Sequence, residues 1–333
     1  MMKPALVVLI VLTGAVARLC AQQPAMENAK VETRAFAGSL STQLAQFGAG
    51  PFWAGYTEPS IPGRDGDMCC ADNGCRGYSN GAAVRLEGQT SLVVLVRMEA
   101  GQPDRLRIVS PDCKLDGGGL PFYWVTGVPA DASVAWLKSQ TVGNHVDQAI
   151  FAIALHVGVA ADRALDDFSA PGQPEKVREK TAFWLGVSRG AKGVETLKRM
   201  LASDPDEKVR EQVIFGLSQS KDPAGMNAVI DSARSDKDPR VRKQALFWLA
   251  QKAGDKQAAE VISNAALNDP DRAVKESAVF ALQQLPPDRG IPLLINLAKN
   301  NSDPGVRKKA MFWLGQSNDP RALEFIANVL KGQ

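Results

Sequence analysis

The sequence predicts an all-α solenoid of about six two-helix repeats, preceded by a small α+β module that contains four cysteines. Three observations carry that prediction. The segment Val306 to Gly315 has counterparts at Val177 to Gly186, Val209 to Leu217, Val241 to Leu249 and Val274 to Leu282, with the leading valines 32, 32, 33 and 32 residues apart. A second set of apolar centres, Leu197, Val229, Val261, Leu294 and Ile326, keeps the same spacing. A fixed period of this length marks stacked supersecondary units. The residues ahead of the repeats carry instead the short apolar runs of strands and a cysteine cluster.

Residues 1–21 read as a secretory signal peptide: Lys3 is the basic start, Ala5 to Ala17 an apolar run, and Ala21 a small residue before Gln22 and Gln23. The run is shorter than the roughly 20 residues that span a bilayer. Leu19 and Arg18 stand before Cys20 where lipid attachment favours a small residue. No later segment is long and apolar enough to span, so the expectation is an exported, soluble protein of the periplasm or the extracellular space, without stable membrane insertion after cleavage. The formal net charge of +3 falls to about +1 without Lys3 and Arg18, which leaves nothing to draw the chain to nucleic acid.

Residues 30–129 form the expected α+β module. After a polar linker over residues 22–30, Phe36, Leu40, Leu44 and Phe47 make one helical stripe that Gly48 to Pro51 ends. Phe52 to Tyr56 is an aromatic cluster running into a loop rich in Pro and Gly. Leu92 to Val96, and Leu106 and Ile108 alternating with Arg105 and Arg107, read as a hairpin turning at Gly101 to Asp104, with one buried and one half-exposed strand. Val84 to Leu86 and Tyr123 to Val125 are further strands, and Gly117 to Gly119 a flexible turn. Four cysteines, Cys69, Cys70, Cys75 and Cys113, in one small exported module suggest two structural disulfides. A bond between the neighbours Cys69 and Cys70 is strained, so each pairs with Cys75 or Cys113. Zinc is the alternative use of four thiols, but paired Cys-x-x-Cys knuckles are missing. Asp65, Asp67, Asp72 and Asn73 do not have calcium-loop spacing.

Residues 131–333 are expected to be helical throughout, with Asp131 as the first N-cap. In each first helix a Val, a small or β-branched residue four later (Thr181, Val213, Ala245, Ala278, Ala310) and a Leu eight later make one buried stripe. Seven after the Val stand Trp184, Gly216, Trp248, Ala281 and Trp313, large and small alternating as a packed core of interdigitating layers requires. Asp-Pro at Asp204, Asp238, Asp269 and Asp303 reads as N-cap and first helical residue. Arg178, Arg210, Arg242, Lys275 and Arg307 form a basic ladder close to those aspartates. Subtracting one period from Phe183 and Leu197 gives Phe151 and Leu165, so a degenerate sixth repeat occupies about 144–170.

Tandem helix pairs with Asp-Pro, Val-Arg and a following Ala-aromatic-aromatic-Leu-Gly resemble HEAT repeats of the short kind named after phycobilisome lyases, over about residues 140–331. With the signal peptide and the Cys69-Cys70 and Asp112-Cys113 segments, the whole is similar to a group of exported bacterial HEAT-repeat proteins. The resemblance carries no chemistry over. Deoxyhypusine hydroxylase, a HEAT-like enzyme, uses His-Glu pairs for iron, whereas neither His145 nor His156 is followed by Glu. On one continuous helix these two histidines would be about 16 Å apart. Bilin lyases of this class act on cytoplasmic pigment proteins, and the glycosylases of the class need a basic groove.

The expectation is therefore a non-enzymatic scaffold or regulator in the cell envelope, binding a protein partner through the solenoid surface, with no catalytic residue, metal or cofactor assigned. The expected binding ladder is Asp167, Arg199, Asp231, Ser263, Asn296 and Asn328, two residues beyond the centre of each second helix, a row that in solenoids commonly lines the concave face. The alternative is an enzyme or accessory factor with a metal or thiol site around Trp53, Tyr56, Cys69, Cys70 and Cys113.

Overall fold

The computed structural model describes residues 23–61, 68, 90–252 and 256–331. A five-stranded sheet forms the N-terminal region, in the order β2 (Lys30–Ala35), β7 (Pro121–Thr126), β3 (Phe52–Pro59), β4 (Ser91–Glu99), β5 (Gln102–Val109). β2, β7 and β3 run parallel; β3, β4 and β5 are antiparallel. β1 (Met26–Glu27) and β6 (Leu115–Asp116) add a short parallel pair. α1 (Leu40–Gln46) is capped by Ser39, which accepts from the Thr42 amide.

The predicted hairpin is present, with β4 buried along most of its length and β5 half exposed. Its turn is one step earlier than expected: Ala100 and Gly101 both take positive φ, which matches the twist of two-residue hairpins, and Gln102 to Asp104 already belong to β5. The supposed linker at Lys30 and the loop-bound aromatic cluster at Phe52 are strands as well. Polar Lys30 to Ala35 sits on an edge and needs no buried face. β3 is central, and its apolar residues alternate between two cores. Phe52, Ala54 and Tyr56 join the large core; Trp53 packs against the smaller cluster of Val93, Leu95, Val109, Cys113, Phe122 and Trp124. The expected strand at Val84 to Leu86 and the carboxylates at Asp65 to Asn73 lie outside the described residues. Gly118 and Gly119 take positive φ in a turn before β7 in which the Asp116 carboxylate accepts from the Gly118 amide.

α2 (Ala130–Ser139) follows the sheet. Asp131 lies inside its first turn and is not the cap; Pro129 is. Six helix pairs then stack: α3 (Val146–Leu155) with α4 (Val159–Phe168), α5 (Glu175–Ser188) with α6 (Gly190–Ser203), α7 (Glu207–Gln219) with α8 (Pro223–Ser235), α9 (Pro239–Lys252) with α10 (Lys256–Asn268), α11 (Arg272–Gln284) with α12 (Pro287–Asn300), and α13 (Pro304–Gly315) with α14 (Pro320–Leu330). The first pair is the degenerate repeat. One hydrophobic core runs from Leu40 in the sheet region to Phe325 in α14.

The Val, the residue four later and the Leu eight later are buried in every repeat, because at 3.6 residues per turn they share one face. First helices come close enough for backbone contact: a Cβ on Gly186 would stand 2.0 Å from the Gly216 carbonyl oxygen, and one on Gly216 2.4 Å from that of Ala182.

The basic ladder and the aspartates are brought together between layers. Arg178 Nε donates to Asp204 at 2.7 Å, Arg210 to Asp238, and Arg242 to both oxygens of Asp269 at 2.8 Å. Capping is divided differently from the Asp-Pro reading. Asp238 and Asp303 accept from the second amide of the next helix, but α7 and α11 are capped by Asp206 and Asp271. Asp204 and Asp269 end the preceding helix and hold the arginine of the previous layer. A carboxylate buried beside a guanidinium satisfies a charge that a surface cap would leave to water.

Candidate functional site

Two rows of the stack present candidate binding surface. Along the first helices, the Phe six after the Val and the Trp seven after it form an aromatic row in two stretches, one from α3 to α9 and one from α11 to α13. Phe151 stacks on Trp184 with centroids 4.3 Å apart, Phe183 on Phe215 at 5.5 Å and Phe215 on Trp248 at 4.7 Å. Phe280 and Trp313 are 5.2 Å apart at a tilt, and Phe312 meets Trp313 edge to face.

Where Gly216 replaces the Trp, the space is taken by backbone and not by a ring: a Cβ there would stand 2.4 Å from the Ala182 carbonyl oxygen. The row is not core, however. Phe247 is 36% and Phe312 52% exposed, and the tryptophans are half buried. The reason is angular: at 3.6 residues per turn the fourth and eighth positions after the Val share its face, the seventh lies at the edge of that stripe, and the sixth is turned about 120° from the Val. Trp184 Nε1 donates to Asp147 at 3.2 Å, whereas Trp248 Nε1 and Trp313 Nε1 are shielded from solvent without an acceptor.

Ten residues after the Val stand Gln219, Gln251, Gln284 and Gln316, partly or fully exposed beside the aromatic row. Gln251 reaches Gln284 at 3.4 Å. This polar row was legible as a repeated residue at a fixed offset, but only its neighbour, the aromatic pair, shows what it flanks.

The expected ladder lies on the second helices. Asp167, Arg199, Asp231 and Asn296 are exposed, and Ser263 and Asn328 half buried. Three of them are engaged locally: Asp167 with Lys138 at 2.9 Å, Arg199 with Asp166 at 2.7 Å, and Asn296 with the Asn300 amide at 2.7 Å.

A third constellation sits at the junction of sheet and stack. Tyr56 OH is 2.9 Å from Ser133 Oγ, Ser133 Oγ is 2.8 Å from His156 Nε2, and His156 Nδ1 is 2.7 Å from the Ala152 carbonyl. Nδ1 must therefore carry the proton it donates to Ala152, which makes Nε2 the acceptor of the Ser133 hydroxyl and Ser133 the acceptor of Tyr56. Burial lowers the His156 pKa to about 4, with Arg189 acting in the same direction, and so keeps the ring neutral. Ser133 and His156 are fully buried, so the pair resembles a nucleophile and base in composition but is closed to substrate. It ties β3 to α2 and α3, together with the Ile61 amide donating to Leu155 O at 2.8 Å.

Beside it, Glu58 is 1% exposed, and its Oε1 has no partner. Burial raises its pKa to about 8.

The residues of the alternative site are not assembled. Trp53 and Tyr56 point to opposite faces of β3 and belong to different cores. Cys113 is buried beside Trp53's cluster, and Cys69, Cys70 and Cys75 lie outside the described residues. His145 and His156 bracket α3 instead of sharing a helix face; His145 Nε2 contacts the Pro103 carbonyl at 3.3 Å. Among the described residues no three metal-ligating side chains cluster, and no helix is long and apolar enough to cross a membrane.

Comparison with known proteins matches HEAT repeats at residues 169–250, 226–299 and 259–332. Among solved structures, the chain is similar to the complex of CpcE and CpcF of phycocyanin lyase from Nostoc sp. PCC7120, with 23% identity and a TM-score of 0.36 over 48% of this chain and 100% of that one. It is also similar to human deoxyhypusine hydroxylase, with 15% identity and a TM-score of 0.27 over 60% and 89% of the two chains. An archaeal HEAT-like repeats protein from Thermococcus onnurineus NA1 has 15% identity and a TM-score of 0.29 over 56% and 96%. No curated protein matches the chain. The period, the helix pairs and the repeat match agree: this is a HEAT-repeat protein, with its repeats in the C-terminal half.

Proposed function

We propose that the protein is a non-enzymatic scaffold or regulator that holds a partner polypeptide on the first-helix face of its HEAT repeats. The observation that carries this reading is the aromatic row, which is exposed at Phe247 and Phe312 and runs across layers in two stretches, Phe151 to Trp248 and Phe280 to Trp313. Half-exposed aromatic rings on a rigid stack provide contact area at low entropic cost, and such anchors dominate binding energy. A HEAT-repeat fold supports protein interaction in general; the aromatic row supports this face in particular.

An exported location and structural disulfides complete the proposal. They are supported by the leader-like residues 1–21 and by Cys113, which is buried and is not a free thiol.

The test is capture of the partner by crosslinking in native material. The double variant F247A/F312A is expected to lose at least about tenfold in capture, the scale of one or two anchor residues, with an unchanged melting temperature. Undiminished capture by F247A/F312A would overturn the assignment to this face. Loss on N296A/N328A instead would move the site to the second helices.

A further inference from the structure

We propose that the C-terminal end of the first-helix face takes an acidic linear segment of the partner, with carboxylates on Lys308 and Lys309 and an adjoining apolar side chain on Phe312. This rests on the scaffold reading and names the chemistry of what is held.

Charge along the stack carries the inference. In the inner layers the ladder arginines and several exposed bases meet a carboxylate of a neighbouring layer. Arg178, Arg210 and Arg242 are paired with Asp204, Asp238 and Asp269. On the exposed face Lys180 meets Asp147 at 3.1 Å, Lys208 meets Glu175 at 3.7 Å, and Arg240 meets Glu207.

Towards the C-terminus the buried arginine–aspartate rungs end, although Arg272 and Lys275 still lie near enough to Asp303 to help the Gly305 amide lower its pKa. Lys275 replaces the arginine of the ladder, and Asn301 stands where the buried aspartate is expected. Arg307 finds only the carbonyls of Asn301 and Ser302. Among the described residues Lys308 and Lys309 are paired with no carboxylate.

These lysines, with Arg272, Glu276, Gly305 and Phe312, line a shallow depression of about 310 Å³ between α11 and α13. Its single carboxylate, Glu276, is held by Arg272 at 3.1 Å, so the lysines set the sign. A Cβ on Gly305 would stand 2.4 Å from Arg272 Nη2; its absence lets the guanidinium lie over the start of α13.

Linear polypeptide fits better than a compact anion. Packed helices lie 8–10 Å apart, and an extended chain rises about 3.3 Å per residue, so about three residues cross one layer. Gln316 flanks the rings and is exposed, and its amide offers the donor and acceptor that a peptide backbone needs.

The test uses the full chain and a labelled twelve-residue peptide repeating Glu-Glu-Phe, read by fluorescence anisotropy. Lys-Lys-Phe and Glu-Glu-Gly peptides and a single-stranded oligonucleotide serve as comparisons. The acidic aromatic peptide is expected to bind and to weaken with salt. K308E/K309E should weaken it about tenfold and F312A severalfold, with circular dichroism and melting unchanged. Equal binding of the Lys-Lys-Phe peptide, indifference to K308E/K309E, or tighter binding of the oligonucleotide that ignores F312A would each overturn the proposal. If the peptides fail while F247A/F312A still loses its native partner, the acidic segment is wrong and the scaffold reading stands.

Discussion

The inner layers and the last two layers of the stack have nearly the same sequence but are in different physical situations. Between α5 and α9 each repeat finds a neighbour on both sides: its arginine is buried against an aspartate, and its small residues admit a neighbouring backbone. At α11 and α13 the buried rung is gone: Asn301 stands in place of the aspartate, and Arg307 donates to the carbonyls of Asn301 and Ser302. α14 leaves Leu323, Val329 and Leu330 exposed. A repeated residue is thus structural where a neighbouring carboxylate or backbone receives it, and becomes available surface where none does.

The sharpest test of that contrast removes the side chain at the rung position in each situation, a carboxylate at Asp204 and a carboxamide at Asn301. Asp204 is 1% exposed beside Arg178, and D204A would leave a buried guanidinium without its counter-charge, a loss of about 3–5 kcal/mol. N301A, at the corresponding place in the stack, removes only neutral hydrogen bonds, worth about 1 kcal/mol. Urea unfolding of both variants measures the difference; equal losses would mean that the rung carries no special weight.

Glycine offers the next comparison. Gly186 and Gly315 both stand nine residues after the repeat's Val. A methyl on Gly186 meets a backbone carbonyl, while one on Gly315 meets nothing within 4 Å. G186A should cost about 2 kcal/mol by forcing α5 and α7 apart, and G315A should be neutral or stabilising by about 0.5 kcal/mol. A tolerated G186A would show that the layers can slide.

The smallest effect concerns buried groups at the junction, which are neutral where the rungs are charged. Glu58 in the folded protein keeps its proton to about pH 8, against an ordinary 4.5. Between those values the native state binds a proton that the unfolded chain has lost, so stability falls as pH rises. His156 acts oppositely: its pKa of about 4 against 6.5 makes stability fall as pH drops through that window. Above pH 6.5 only Glu58 remains in play. Wild-type stability should therefore decline from pH 6.5 to 8, by on the order of 1–2 kcal/mol, and E58Q should remove the decline. A slope that survives E58Q would assign it elsewhere.

Much of the fold was legible because period and burial are local consequences of side-chain order. Val, a small residue and Leu at offsets of zero, four and eight specify one buried helix face whatever surrounds them, and the spacing of those triplets specifies the stack. The degenerate repeat at Phe151 and Leu165 was visible for the same reason. The aromatic pair was the point at which local reasoning stopped. Phe312 and Trp313 adjoin the buried stripe, and only packing shows that the rings lie outside it. The Ser133 and His156 contact joins positions 23 residues apart through a hydrogen bond that no spacing announces.

The sequence by itself therefore determined the helix pairs, their number and order, and the hairpin of the sheet, since each follows from periodicity within a short window. Only the tertiary structure decided which aspartate caps a helix and which clamps an arginine, that β3 feeds two cores, and that a repeated Phe and Trp are surface. Those outcomes depend on what stands in the next layer, and a residue's neighbours across a stack are set by packing rather than by its place along the chain.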